Sequence, residues 1–262
     1  MNYGICKLSV IPVRAEASDR SEMVTQLLLG DIFEVLENQN NWIFIKNQYD
    51  NYEGWIDKKQ SNPLSFEDFQ RISLKDHPLV ADLISVCYDT DLKNVFPIVV
   101  GCDLPFYKDN AFELSQENLI YEGASINPNP KYFHKIIREN SLLYLNAPYL
   151  WGGKSPLGID CSGFTQMVYK LCGVKLPRDA SQQAMLGETL SFVEEAVEGD
   201  LAFFDNEEGN ITHVGIILED NKIIHASGKV RIDAIDHYGI FNLDTQKYTH
   251  NLRLIKRIVA VK

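Results

Sequence analysis

Asp160-Cys161-Ser162-Gly163-Phe164-Thr165-Gln166-Met167-Val168-Tyr169-Lys170-Leu171-Cys172 is the stretch on which the fold of this chain turns. Its apolar and polar residues alternate in a helical manner, with Phe164, Val168 and Leu171 on one face. Cys161 therefore stands at a helix N-terminus, beside unpaired backbone N–H groups and the positive end of the helix dipole. Both favour thiolate over thiol, and thiolate is the nucleophile. Such a cysteine needs an imidazole to hold its proton and return it to a leaving amine, and a third polar group to orient that imidazole. His213-Val214-Gly215-Ile216 and His225-Ala226-Ser227 supply two histidines twelve residues apart. Strands over Ile211–Leu218 and Ile223–Ala226, joined at Asp220-Asn221, bring them side by side.

The remaining cysteines and histidines carry no such context. Cys6, Cys87, Cys102 and Cys172 read as buried small hydrophobes, and His77, His134, His237 and His250 as surface or core filler. A metal site would have to use Cys161, His213 and His225, but no CxxC or His-x-x-x-His spacing supports one. Neither a metal nor a cofactor is expected.

Working outward, the residues after Pro130 run helix, helix, then strands. A helix is expected over Pro130–Leu145, opened by Asn129 and carrying Phe133, Ile136, Ile137, Leu143 and Tyr144 at helical spacing, with a short second one over Ala180–Leu186. Strands follow at Leu201–Phe204, Val214–Leu218, Ile223–Ala226, Val230–Ile232 and Leu252–Val261. That order predicts an α+β domain. Ser125-Ile126-Asn127-Pro128-Asn129-Pro130 is the expected boundary. Before it, Ser9–Val13, Ile32–Leu36, Trp42–Ile45 and Gly54–Ile56 read as short strands of a small all-β barrel, and a second short-strand region runs from His77 to Gly123, with Phe96–Gly101 its clearest strand. The expected domains are 1–62, 63–125 and 126–262.

Composition agrees with this partition. The chain has 262 residues, 45% hydrophobic and 23% charged, which excludes a disordered or collagen-like protein. The net charge of −11 argues against a nucleic-acid partner. No apolar run approaches the roughly 20 residues that span a bilayer, so no membrane partner is expected. Met1–Glu16 shows no leader pattern and the five cysteines are scattered, which together predict a cytoplasmic setting. Residues 1–129 hold 20 of the 36 acidic side chains and only 10 of the 25 basic ones. An acidic front repels anionic polymers and attracts ammonium groups. No residue pattern assigns an oligomeric state.

Tyr149-Leu150-Trp151-Gly152-Gly153, Asp160-Cys161-Ser162-Gly163-Phe164, Gly199-Asp200-Leu201, His213-Val214-Gly215-Ile216 and Ile224-His225-Ala226 together resemble the NlpC family of papain-like cysteine peptidases, which cut bacterial cell-wall peptides. Tyr52-Glu53-Gly54-Trp55-Ile56, with Val13-Arg14 and Ser21-Glu22, resembles bacterial SH3 barrels; the region 63–125 reads as a second, degenerate one. Barrels ahead of such a domain resemble the γ-D-glutamyl-L-diamino acid endopeptidases. The resemblance implies a murein-derived peptide, L-Ala-γ-D-Glu-diamino acid, with a free N-terminal L-Ala, as substrate in cell-wall peptide recycling. It implies Cys161 as nucleophile, His213 as base and acid, His225 as orienting group and Tyr149 as an oxyanion donor beside the Cys161 N–H. Trp151, Asp160, Ser162, Arg178 and Asp179 would line the substrate pocket, with Tyr52 and Glu16 or Glu22 closing it. The family run Arg-Asp-Ser stands here as Arg178-Asp179-Ala180, so a hydroxyl contact is missing unless Ser181 supplies it. The alternative is a secreted hydrolase of intact cell wall.

Overall fold

A computed structural model describes residues 2–91, 93–115 and 117–260. The expected strand end Val261, and the expected domain ends at positions 1 and 262, lie outside the described residues. The chain forms two compact units. One is Met1–Pro128 with Trp151–Pro156; the other is Asn129–Leu150 with Leu157–Lys262.

The front unit is mainly antiparallel sheet. One sheet runs in spatial order Met23–Leu28, Val10–Arg14, Glu53–Asp57, Trp42–Asn47, Ile32–Gln39, Tyr3–Ile5, Asn62–Pro63. Alternate side chains turn inward, as a period of two dictates, so Ile43 and Ile45 join Cys6, Ile11, Val13, Leu27, Phe33 and Ile56 in one core. A helix the sequence reading lacked follows at Phe66–Ser73. Ser65 caps it by accepting the Asp68 N–H at 3.0 Å, and it buries Phe69 and Ile72. A second sheet orders Val95–Val99, Ile84–Asp89, Glu117–Ile120 and Ala111–Leu114. The segment Trp151–Pro156 packs into this unit: the Lys154 N–H donates to Gln26 Oε1 at 2.8 Å. Gly152, at φ +75°, lies so close to Met23 that a Cβ would come within 2.2 Å of its carbonyl oxygen.

In the back unit, Asn129 accepts the Lys131 N–H and opens a single 3₁₀ turn, from which α1 runs over Phe133–Leu142. Helix α2 covers Cys161–Leu171 and α3 Ala180–Gln183. The strands are β1 (Glu188–Leu190), β2 (Leu201–Asp205), β3 (Ile211–Leu218), β4 (Lys222–Ser227), β5 (Lys229–Ile235), β6 (Gly239–Asn242) and β7 (Lys247–Arg257). They order as β1-β7-β2-β3-β4-β5-β6, and β6 pairs back onto β7, closing a six-stranded barrel. Asp220 and Asn221 take φ of 58° and 53° in the turn from β3 to β4, a conformation that short polar side chains tolerate. Helix α2 is buried along its whole length and packs on β3 and β4. Helices precede strands, as the sequence predicts. No helix among the described residues is long and apolar enough to cross a membrane.

Candidate active site

Asp160 is the N-cap of α2, and its Oδ1 accepts the Gly163 N–H at 2.7 Å. That cap puts Cys161 at the first helical position, 6% exposed, with its own N–H among the groups a helix leaves unpaired. The same carboxylate holds a buried arginine. Arg178 Nη2 donates to Asp160 Oδ2 at 2.6 Å and Nη1 to Oδ1 at 3.0 Å, while Nη1 also reaches Ser162 Oγ at 2.9 Å. Arg178 is 1% exposed. It ties α2 to the loop that precedes α3. Gln183 of α3 adds to that clamp, donating to Ser162 O at 3.0 Å and accepting from Thr165 Oγ1 at 2.7 Å. Asp179 is the N-cap of α3, its N–H donating to Gln182 Oε1 at 3.3 Å.

The histidines come from β3 and β4. Gly215 faces His225 across the pair, so His213, two residues away, shares its side of the sheet. Only a glycine fits at 215, since a Cβ there would lie 2.9 Å from the Cβ of His225. His213 Nε2 lies 2.8 Å from His225 Nδ1, and His225 Nε2 lies 3.1 Å from Asp233 Oδ2. Asp233, on β5, is fully buried and receives Arg231 Nε at 2.6 Å, Arg231 Nη2 at 2.9 Å and the Leu243 N–H at 3.0 Å. His250, from β7, stacks on His213 with ring centroids 4.2 Å apart and planes 25° apart. It was expected to be filler. Asp233 and Arg231 are not among the site residues expected from the sequence. The signal available for both was the pair of charges alternating with apolar residues in Val230-Arg231-Ile232-Asp233.

Burial governs the electrostatics. It pushes the Cys161 thiol up to about 12, helped by the nearby Asp160 charge; the Val214 N–H, Arg178 and the Ser162 N–H pull the other way without overcoming it. His213 is held well below its ordinary value by burial and by His225 and His250. The helix terminus favours a thiolate, whereas burial works against both charged forms, raising the thiol and lowering the imidazole. Burial would also raise Asp233, but hydrogen bonds from His225, Arg231 and Leu243 keep its carboxyl far below the usual range. Tyr149 is raised to about 12 by burial, by the Cys161 thiol and by Asp160, so its phenol stays a hydrogen-bond donor.

The remaining expected residues, Trp151, Glu16, Glu22 and Tyr52, belong to the front unit. There the Trp151 indole N–H donates to Glu22 Oε1 at 2.5 Å, so Glu22 already serves the segment that holds Trp151. Ser21 Oγ accepts the Glu16 N–H at 2.9 Å, and the Tyr52 N–H donates to Asp50 Oδ1 at 3.1 Å.

Comparison with known proteins matches two segments of the chain to family models. Residues 146–252 match the NlpC/P60 family, and residues 13–60 match the bacterial dipeptidyl-peptidase Sh3 domain. A γ-D-glutamyl-L-lysine dipeptidyl-peptidase of Bacillus subtilis (strain 168) is 28% identical, covering 77% of this chain and 71% of that one. Dipeptidyl-peptidase 6 of Lysinibacillus sphaericus is 27% identical, covering 85% of this chain and 88% of its own. The crystal structure of an NlpC/P60 family protein from Bacillus cereus ATCC 10987 shares the fold with a TM-score of 0.78, covering 98% of this chain and 100% of that chain at 19% identity. The expected fold class, an α+β papain-like domain preceded by all-β SH3-like structure, is borne out.

Proposed function

The chain carries an NlpC/P60 cysteine-peptidase domain and a bacterial dipeptidyl-peptidase SH3 domain, and from that premise we propose that it hydrolyses the γ-D-glutamyl–diamino acid bond of murein-derived peptides whose N-terminal L-alanine is free. One observation carries the reading: a buried cysteine at a helix N-terminus, packed on the strands whose two histidines are hydrogen-bonded in series, in a chain that also holds that SH3 domain. Relatives named for γ-D-glutamyl-L-lysine support L-lysine in the third position, with diaminopimelate as the other candidate. The setting proposed is cytoplasmic recycling of wall peptides.

The chemistry follows from the site. As the thiol approaches the γ-carbonyl of D-glutamate, its proton passes to His213 and sulfur bonds to the carbonyl carbon. The oxyanion is met by the Cys161 N–H and the Tyr149 hydroxyl. Collapse breaks the C–N bond, and the His213 proton goes to the leaving amine. Water then gives its proton to His213, attacks the thioester and frees the acid and the thiol. His225 orients His213 throughout. Burial works against both charged forms, so the passage of the proton to His213 accompanies attack on the carbonyl.

The free ammonium of L-alanine needs a carboxylate where it is desolvated. Asp179 is the candidate in the back unit, Glu16 and Glu22 those in the front. The other proposed contacts are Trp151, Tyr52, Asp160, Ser162 and Arg178, of which the last three are hydrogen-bonded to one another. The test is incubation with L-Ala-γ-D-Glu-L-Lys, its diaminopimelate counterpart, the N-acetylated peptides and intact peptidoglycan, with products identified by mass. Release of L-Ala-γ-D-Glu from the free peptides, hundreds of times faster than from the acetylated ones, is expected from the roughly 3–5 kcal/mol lost when a buried ion pair is broken on one side. Equal cleavage of acetylated peptide or intact wall overturns it in favour of a wall hydrolase.

A further inference from the structure

Behind the two histidines lies a carboxylate whose acceptor atoms are placed with unusual economy. Asp233 Oδ1 receives Arg231 Nη2 and the Leu243 N–H, while Oδ2 receives Arg231 Nε and faces His225 Nε2. An ionised carboxylate only accepts hydrogen bonds. His225 must therefore carry its proton on Nε2, which leaves Nδ1 with a lone pair. That lone pair lies 2.8 Å from His213 Nε2, so the second ring must carry its own proton there and present a bare Nδ1. The order of donors runs one way along the whole line.

We propose that Asp233 is a positioning residue that locks both imidazoles in one tautomer, leaving His213 Nδ1 as the bare nitrogen that takes the Cys161 proton. Were the tautomers reversed, His225 would donate from Nδ1 to His213 Nε2. His213 would then hold its proton on Nδ1, facing the thiol, with nothing to accept a second one except at the cost of a buried charge. Arg231 has the subsidiary task of keeping Asp233 ionised and its plane fixed. The Cys161 N–H and Tyr149 act at the opposite end of the reaction and do not sense this choice.

Asp233→Asn reverses the line in a defined way. Two donors, Arg231 Nη2 and the Leu243 N–H, point at Oδ1 and one, Arg231 Nε, at Oδ2, so the amide keeps its carbonyl on the Oδ1 side and turns its NH₂ group toward His225 Nε2, where the Arg231 Nε–H has to swing away. A donor now meets that nitrogen, and the proton moves to Nδ1. The loss should resemble that of other buried carboxylates that set a catalytic tautomer, on the order of 10⁴ in turnover with substrate affinity little changed.

The inference rests on the proposed peptidase reading only for its kinetic consequence, because the tautomer can be read without substrate. The experiment is nitrogen-15 NMR of the histidine-labelled protein near neutral pH, with assignment by single His213→Gln and His225→Gln variants. Protons on Nε2 of both rings in the native protein, and on Nδ1 of both in Asp233→Asn, are expected. A native His225 protonated on Nδ1 overturns the proposal, as does an Asp233→Asn protein that keeps both native tautomers. Because the native spectrum is decisive alone, failure of the variant to fold leaves the proposal open to refutation. If the tautomers switch as expected but no murein peptide is cleaved by the native protein, the substrate reading fails and the lock stands.

Discussion

Two carboxylate–arginine pairs, each with a buried acid, flank the reacting residues, and they do different work with the same chemical groups. At the helix end, Asp160 binds Arg178 with both oxygens and caps α2. On the sheet side, Asp233 binds Arg231 with both oxygens, yet one of those oxygens also meets a histidine. Asp160 fixes where the nucleophile sits; Asp233 fixes where a proton sits. The burial of the arginines matches this division, with side chains 1% exposed for Arg178 and 15% for Arg231. A charge pair in a core is thus assigned a role less by its own bond than by what its spare acceptor sites touch.

The sharpest way to test that the reaction lies between these pairs is to remove what they flank. Cys161→Ala should bring peptide turnover below detection with the thermal transition unmoved, since both pairs survive. In the native protein, Cys161 should also be the first thiol alkylated: it is 6% exposed, whereas Cys6, Cys87, Cys102 and Cys172 are 0% exposed. The alkylation rate should climb steadily with alkaline pH, because the thiol is held up near 12. A rate already flat at pH 7 would show that a resting thiolate exists after all.

The helix-end pair is predicted to matter more to stability than the sheet-side pair. Arg178→Met leaves Asp160 the Gly163 N–H but takes away the fully buried cation that both its oxygens meet, and breaking a buried pair on one side costs about 3–5 kcal/mol. Arg231→Met should cost less, because Asp233 keeps the His225 and Leu243 donors and its arginine lies nearer water. Urea unfolding of the two variants reads the difference, and a larger loss for Arg231→Met would reverse the comparison.

Much of the helix-end arrangement was legible in the sequence, and little of the sheet-side one. A cysteine at the head of an amphipathic run is a local pattern, and so is a turn at Asp220-Asn221 that brings His213 beside His225. Asp233 and His250 reach the histidines through the pairing of β4 with β5 and the closure of the barrel by β7, and register between strands leaves no local trace. The helix at Phe66–Ser73 differs, since Ser65 and Asp68 ahead of Phe69 and Ile72 form a helix start signal that is local in the sequence. Arg178 is expected from the sequence as a pocket residue, but its two bonds to Asp160 join positions 18 apart in the chain and leave no local pattern.

His225 stands between the two pairs and separates orientation from charge. His225→Ala deletes the acceptor for His213 and leaves Asp233 without one of its donors, so turnover should fall by about 10²–10³ with little change in KM. His225→Gln or Asn should retain roughly tenfold more activity than Ala, since an amide oxygen can still accept from His213 Nε2. Equal loss in all three variants would mean that the position needs a ring, not an acceptor.

The smallest effect is expected from His250, which touches the sheet-side group without joining its line of hydrogen bonds. Burial lowers its imidazole to about 4, and the neighbouring His225 adds to the shift. The unfolded chain binds a proton at this position near pH 6.5, the folded protein only near 4, so between those values the unfolded state holds more protons. Stability therefore falls as the pH drops below 6.5, and this contribution is fully lost by about 4. His213 and His225 are shifted the same way and add to the loss. His250→Phe keeps a ring against His213 while removing one titrating group. Its melting temperature should drop less between pH 7 and pH 4.5 than that of the native protein, by roughly 2–4 °C if the difference is near 1 kcal/mol. Identical drops would mean that His250 is exposed enough in solution to take up its proton freely, and the stacked contact with His213 would then have no part in keeping the catalytic pair neutral.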